Sequence, residues 1–410
     1  MPGPDQFDID DRRAEALVME MMAIPGDSTH ESAVAQFVHQ RLVEAGAKPK
    51  SIVQDSAHHK SRHGGECGNL VFKLAGRGPR RRRARRLLMA HIDTVPLAVG
   101  CRPQRAGNRV TSGDRRTALG ADDRAGAAAI LTIARTLLDG GLPHPPLTFL
   151  WCVQEEIGLS GSKQLTSARL GRPALGFNFD GGDPDELTIG ATGAIRMTID
   201  VRGIAAHAGT HPERGVSAVT LASLAIADLD RRGWLGLVEK GGRRGTSNIG
   251  AVEGGGATNV VTEHVRLRAE ARAHAPAFRR RIVTAFEKAF AQAVRRLPNA
   301  AGEVGQVDFD IRQDYESFRL RRSDAVVRAA AAALERLGRQ PVWRVVNGGL
   351  DANMLNAHGI PTVSLGVGQR QIHTTAESLL LDEFRRACRL GLCLALGDDQ
   401  TQSASDQRPR

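Results

Sequence analysis

Seven acidic and imidazole side chains are spaced along this chain in a way that suits metal-assisted hydrolysis: His91, Asp93, Asp122, Glu155, Glu156, Asp180 and His373. The most informative stretch is Ala118-Leu119-Gly120-Ala121-Asp122-Asp123-Arg124-Ala125-Gly126, where two carboxylates precede a small-residue helix expected from Arg124 to about Leu138. One carboxylate there would serve as an N-cap or a helix-dipole partner. A pair invites a second reading, in which Asp122 lies between two cations and gives one oxygen to each. His91 offers a neutral imidazole, and Asp93 can accept the proton of its other ring nitrogen and fix the tautomer. Glu156 and Asp180 serve as terminal carboxylates and His373 as the second imidazole, which completes two sets of three ligands sharing Asp122. Imidazole with carboxylate suits zinc, and also cobalt or manganese. Two such ions, about 3.5–4 Å apart, bridge and acidify a water and polarise a carbonyl. Glu155 cannot point the same way as Glu156, so it is left to act as general base on that water and then as acid toward the leaving nitrogen. Taken singly, each residue has a bland reading: His91 a satisfied core histidine, Glu155-Glu156 an ordinary acidic loop. The apolar strand leading into the glutamate pair argues against the second.

Apolar runs place these groups at strand ends. Strands are expected at Asn69 to Leu74, at Leu87 to Ala90 ending on His91, at Leu147 to Val153 ending on Gln154-Glu155-Glu156, and at Gly176 to Phe179 ending on Asp180. Open α/β sheets bind ligands just past the carboxyl ends of their strands. Helical periodicity runs from Asp10 to Ile24, and Ser28 or Thr29 can cap a second helix. Cys101 to Asp114 reads as polar loop. The strand–helix alternation predicts an α/β fold, a mostly parallel sheet with helices on both faces. From Ala194 the order becomes strand, helix, strand, strand, helix, strand, an α+β unit resembling a ferredoxin-like split βαβ. The expected division is a catalytic metal-binding domain of residues 1–193 and 313–410, with an inserted lid of residues 194–312. The polar residues from Asp398 are expected to fray.

The 410 residues suffice for two domains. No apolar run approaches the ~20 residues of a membrane span. The acidic N-terminus MPGPDQFDIDDRR lacks an apolar segment, so no signal peptide is expected. Five scattered cysteines form no C-x-x-C pair, which disfavours a disulfide framework and fits a reducing cytoplasm. The net charge of +11 is concentrated partly in Arg77 to Arg86. A basic nucleic-acid-binding scaffold is the alternative of another class, but this run has no interleaved aromatics for base stacking. It reads as a solvated, flexible loop.

The chain resembles the co-catalytic zinc exopeptidases and deacylases, a family that includes peptidase T, carboxypeptidase G, aminoacylase and succinyl-diaminopimelate desuccinylase. The resemblance rests on His91-Ile92-Asp93-Thr94-Val95, Gly120-Ala121-Asp122-Asp123-Arg124-Ala125-Gly126, Gln154-Glu155-Glu156-Ile157-Gly158, Asp180-Gly181-Gly182, Ala206-His207-Ala208-Gly209, Ala257-Thr258-Asn259 and His373-Thr374-Thr375-Ala376-Glu377. Each motif is weak; the ordered set is specific and looks closest to the peptidase T branch. The resemblance implies His91, Asp122 and Asp180 on one metal, and Asp122, Glu156 and His373 on the other. It implies Asp93 orienting His91, Glu155 as the base, and a cis peptide between Asp122 and Asp123. It further implies a lid that mediates homodimerisation, with His207 stabilising the oxyanion and Asn259 contacting substrate; strand Ala194 to Arg202 and helix Gly215 to Leu229 offer a surface for the two-fold pairing.

One segment departs from the pattern. Peptidase T-like sequences often carry an arginine where this chain has Asn347, in Asn347-Gly348-Gly349-Leu350-Asp351-Ala352-Asn353. A neutral amide cannot form the guanidinium fork that grips a carboxylate. Asn347 and Asn353 are substrate-side candidates, and Arg344 or Arg272 could supply the lost charge. The expectation is a cytoplasmic dinuclear hydrolase cutting an amide bond in a small peptide, as an aminopeptidase. An N-acyl amino acid deacylase or a carboxypeptidase is the alternative within the family.

Overall fold

In the computed structural model, residues 8–397 are described; the expectations for the first seven residues and for the chain from Asp398 lie outside them. The chain forms two compact units. One comprises the described residues through Gly190, Arg319–Val346 and those from Leu350 onward; the other comprises Ala191–Phe318 with Asn347–Gly349.

The first unit is a mixed α/β structure. Its parallel core has the strands Leu147–Cys152, Arg86–His91, Leu175–Phe179 and Thr362–Leu365 as successive neighbours. These strands are near-continuous apolar runs, as both faces are covered. The sheet is less parallel than expected. Leu70–Leu74 and Ile52–Gln54 extend one side antiparallel, and Glu186–Ala191 pairs antiparallel with Thr362–Leu365 on the other. The register matters for the chemistry: His91 lies opposite Cys152, and Phe179 opposite Leu365. The strands therefore end along one edge, and the residues that follow them meet there.

Helix Ala121–Gly140 packs against helices Asp11–Met22 and Leu381–Leu396. Its small residues allow a close approach to the sheet. A Cβ at Gly126 would sit 1.8 Å from the Phe179 carbonyl oxygen, so no larger residue fits without displacing the helix or the strand that leads to Asp180. Helix Ser32–Glu44 begins later than a Ser28 or Thr29 cap would start it, and no side chain caps it. Ser28 instead donates its hydroxyl to Asp93.

Two sequence expectations are overturned in this unit. Residues Cys101 to Asp114 are not plain loop: Pro103–Ala106 and Arg109–Ser112 form a hairpin, and Ser378–Leu380 and Gln369–Arg370 complete a small antiparallel sheet. Strands of four residues with a single buried position between them carry little apolar periodicity, which is why they read as loop. The arginine run is not a solvated, flexible loop either. Arg80 Nη1 donates to the Leu396 carbonyl at 2.8 Å, Arg83 Nη1 to Gly397 at 2.7 Å, and Arg86 Nη1 to Leu394 at 2.8 Å. Arg85 donates to the Leu147 carbonyl. Three guanidinium groups thus satisfy carbonyls at the end of helix Leu381–Leu396, where the backbone has no intrahelical partners and the dipole is negative.

The second unit is a five-stranded antiparallel sheet in the order Gly236–Lys240, Arg243–Gly254, His264–Ala273, Gly193–Arg202, Gln306–Tyr315. Helices Ala218–Arg231 and Pro276–Arg296 cover one face and bury Leu221, Leu229, Phe278, Phe286 and Phe290 against it. The ferredoxin-like order is present, with Gly236–Lys240 as an added edge strand that sequence periodicity missed. Strand Gly193–Arg202 is hydrogen-bonded on both sides.

The arginine contacts give a stability test. Arg86 is 7% exposed, whereas Arg82 is exposed. Arg86→Ala is expected to lower the unfolding free energy by about 2 kcal/mol, the scale of a hydrogen bond to a charged group. Arg82→Ala is expected to stay within about 0.5 kcal/mol of the parent. Denaturant unfolding of both variants checks this.

Candidate metal centre

The strand edge of the first unit gathers His91, Asp122, Asp180, Glu156 and His373. One potential ligand atom from each of His91, Asp122 and Asp180 lies within 4.8 Å of the others, and the same holds for Asp122, Glu156 and His373. His91 Nε2 is 3.3 Å from Asp122 Oδ1, and His373 Nε2 is 3.1 Å from Asp122 Oδ2 and 2.9 Å from Glu156 Oε1. Asp122 thus turns one oxygen to each imidazole.

Each group has its own anchor. The Asp122-Asp123 peptide is cis, and Gly120 before it has φ +73°. Glu377 holds this turn by accepting from the N–H of Gly120 (2.7 Å) and of Asp122 (2.9 Å). Asp123 does not join either ligand set. Its carboxylate accepts from the N–H of His91 (3.2 Å) and Gly126 (3.1 Å) and from Gln369 Nε2 (2.9 Å). His91 Nδ1 lies 3.0 Å from the Asp93 carbonyl oxygen and 3.4 Å from the Asp93 carboxylate. The backbone oxygen, rather than the carboxylate expected from sequence, is the nearer acceptor that fixes the His91 tautomer. The Asp93 carboxylate, fully buried, accepts from Ser28 Oγ (2.6 Å) and from the N–H of Glu155 (2.9 Å) and Glu156 (3.1 Å). Asp180 follows its strand directly, its N–H donating to Leu365 at 2.9 Å. The carboxylates that follow it in the chain turn to cations instead: Asp185 to Arg339 and Glu186 to Arg344, with Asp183 3.7 Å from Arg386. His373 sits in the loop between strands Gln369–Arg370 and Ser378–Leu380, with φ +61°.

Crowding sets the electrostatics. Burial, then Asp122, push the Asp180 carboxyl up to about 7. Burial raises Glu155 well above the usual range; the neighbouring His91 works against this, and Asp351, Asp180 and Glu156 add to it. Burial alone would raise Asp122 too, but bonds to His373 and His91 hold it below the ordinary range. His373 is pushed up to about 10 by Asp122 and Glu156. The donor set fits divalent cations: carboxylates outnumber imidazoles, and buried Asp122 Oδ1 has only the His91 imidazole, 3.3 Å away, beside it. A buried carboxylate oxygen is costly unless hydrogen-bonded, ion-paired or metal-bound.

Several sequence candidates lie elsewhere. In the second unit His207 and Asn259 lie on adjacent segments, where Ala208 N–H donates to the Asn259 carbonyl at 2.9 Å. His207 Nδ1 accepts from the N–H of Gly209 (3.2 Å) and Thr210 (3.1 Å), which leaves the ring proton on Nε2. Asn347 is exposed, and its Oδ1 accepts from His274 Nε2 at 3.2 Å. Asn353 is corrected: it is 1% exposed and its Oδ1 accepts from the Leu350 N–H at 3.1 Å, so it caps helix Asp351–Ala357 instead of meeting substrate. Arg344 and Arg272 do not replace the missing charge freely, since each is ion-paired, with Glu186 and Glu270. Glu31, Glu377 and Gln369 were missed as anchors. Their signal is purely tertiary, apart from Glu377 lying within the His373 motif.

These features define a dinuclear metal-hydrolase site at the edge of an α/β sheet. The chain matches Peptidase family M20/M25/M40 over residues 87–396, and it belongs to that family. It is similar to the Bacillus subtilis (strain 168) protein YqjE, 31% identical over 93% of this chain and 97% of that one. Among solved structures, the aminopeptidase PepT from Bacillus cereus ATCC 10987 aligns with a TM-score of 0.80 at 31% identity, covering 95% of this chain and 99% of that one. A tripeptidase from Staphylococcus aureus aligns with a TM-score of 0.83 at 30% identity, covering 94% and 98%. The chain is a metallopeptidase of the peptidase T-like branch.

The shared carboxylate predicts an asymmetry. Purified wild-type protein is expected to bind about two divalent ions per chain. Asp122→Asn should lose both, while Asp180→Asn should lose one, because Asp180 belongs to a single set. Elemental analysis after gel filtration counts them. Equal retention by both variants would remove Asp122 from its bridging position.

Proposed function

We propose that this protein is a zinc-dependent aminopeptidase that removes the N-terminal residue from short peptides. The observation that carries this reading is the division of labour at the glutamate pair. Glu156 belongs to a ligand set, while Glu155 belongs to neither. The names of the Bacillus cereus and Staphylococcus aureus neighbours, an aminopeptidase and a tripeptidase, support the substrate class.

In this scheme His91, Asp122 and Asp180 hold one ion, and Asp122, Glu156 and His373 hold the other. When bound, the ions supply Lewis acidity toward the scissile carbonyl and toward the attacking water. Glu155 takes the proton from that water and delivers it to the leaving nitrogen. Asp93 keeps His91 in one tautomer and ties down the Glu155 backbone. His207, with its proton on Nε2, is proposed as the donor to the developing oxyanion. Asn259 and Asn347 are proposed on the substrate side. Five buried cysteines outside any disulfide fit the proposed cytoplasmic setting, and homodimerisation through the second unit is part of the same reading.

Glu155→Gln is expected to lower kcat at least ~10²-fold while both ions stay bound, the scale of a lost general base. Loss of the ions along with activity would make Glu155 a ligand. The substrate side is tested with an unblocked tripeptide, its C-terminal amide, its N-acetyl form and an N-acyl amino acid. Asn347 lacks the charge that would grip a carboxylate, a contact worth about 1.5–3 kcal/mol. Tripeptide and amide are therefore expected to be cleaved at comparable kcat/KM, with both acylated compounds inert. Preference for the N-acyl amino acid would move the protein to the deacylases.

A further inference from the structure

The turn that carries the glutamate pair is held by more than Asp93. Three consecutive backbone N–H groups point at two buried carboxylates: Gln154 at Glu31 Oε1 (3.0 Å), Glu155 at Asp93 Oδ1 (2.9 Å) and Glu156 at Asp93 Oδ2 (3.1 Å). The same Glu31 oxygen accepts from the Thr29 N–H at 3.0 Å. Thr29 and Gln154 both have left-handed backbones, φ +82° and +56°. Such conformations persist in larger residues only where the surroundings hold them. One carboxylate oxygen therefore clamps two strained backbones from loops far apart in sequence.

The loop carrying Glu31 is itself fixed to the metal-ligand segment. Thr94 N–H donates to the Gly26 carbonyl at 3.2 Å, Ser28 N–H to the Thr94 carbonyl at 3.3 Å, and Ser28 Oγ to Asp93 at 2.6 Å. Glu31 is fully buried, and its Oε2 has no hydrogen-bond partner. Leaving one buried oxygen unpaired is a poor way to stabilise a helix start, and no side chain caps helix Ser32–Glu44. What Glu31 does supply is an acceptor placed between Thr29 and Gln154.

We propose that Glu31 is a positioning residue: it fixes the Gln154 backbone, and through it the directions in which Glu155 and Glu156 leave the turn. The catalytic consequence rests on the roles proposed above for that pair; the structural consequence does not.

The experiment compares Glu31→Met, which has similar length but no acceptor, with Glu31→Gln, which keeps one. In metal-free protein, amide exchange of the segment spanning residues 153–160 is expected to accelerate at least ~10-fold in Glu31→Met, with the central strands unchanged. With metal, kcat on the tripeptide is expected to fall about 10- to 100-fold with KM within about twofold, the scale of lost outer-shell support. Glu31→Gln should restore both. Parental exchange in Glu31→Met, or equal losses in both variants, would overturn the proposal. Should Glu31→Met not fold, Glu31→Asp, one methylene too short to reach both N–H groups, replaces it against Glu31→Gln under the same criteria. If the wild-type protein cleaves none of the peptides, the functional reading fails while the exchange comparison still decides the positioning role.

Discussion

The constraint on which this site depends is the burial of many carboxylates at one sheet edge. Asp93, Asp122 and Asp123 are buried there, with Asp180, Glu155 and Glu156 half-buried beside them and two imidazoles. In a poorly solvated interior each negative charge needs hydrogen-bond donors or a cation. The structure answers in two ways. Asp93 and Asp123 are supplied with donors by the protein, from a hydroxyl, backbone N–H groups and the Gln369 amide. Asp122, Glu156 and Asp180 are left short of donors and face the imidazoles. Each of these two accepts three hydrogen bonds, which leaves it little capacity to offer a metal. The distribution of donors therefore sets Asp93 and Asp123 apart from the ligand carboxylates.

The supports come from places distant in sequence, which makes the site cooperative with the fold. Glu377 reaches the turn before Asp122 from the far end of the chain, and Gln369 reaches Asp123 from the small sheet that also flanks His373. Gly126 lets helix Ala121–Gly140 settle against the Phe179 carbonyl, one residue before Asp180. A ligand geometry assembled in this way is set by packed backbone rather than by loop flexibility, as metal centres with demanding bond lengths need.

The chemistry was more legible in the sequence than its scaffolding. His91, Asp122, Glu156, Asp180 and His373 could be named because ligand types recur at strand ends, and a parallel sheet brings strand ends together. The long apolar strands and the amphipathic helices followed from periodicity. What escaped depends on contacts without local signature. The hairpin Pro103–Ala106 with Arg109–Ser112 is short and has a single buried position, so alternation is weak. Asn353 looked polar and available, but its position at the start of helix Asp351–Ala357 commits it to a backbone N–H. The anchoring of the Gln154 turn depends on Glu31, more than a hundred positions away, which no spacing rule reaches.

Charge shows the same difference between composition and structure. A formal +11 suggests a basic surface. Yet Arg80, Arg83 and Arg86 are spent on the carbonyls ending helix Leu381–Leu396, and Arg272, Arg339 and Arg344 on neighbouring carboxylates. A guanidinium already bonded to a carbonyl or carboxylate must break that contact before it can grip a ligand, so its attraction for an incoming anion is reduced by the cost of release. Net charge therefore overstates what these six arginines offer to an incoming peptide carboxylate. At Asn347 the side chain is a neutral amide paired with His274. A group of that kind discriminates by hydrogen-bond direction and not by charge.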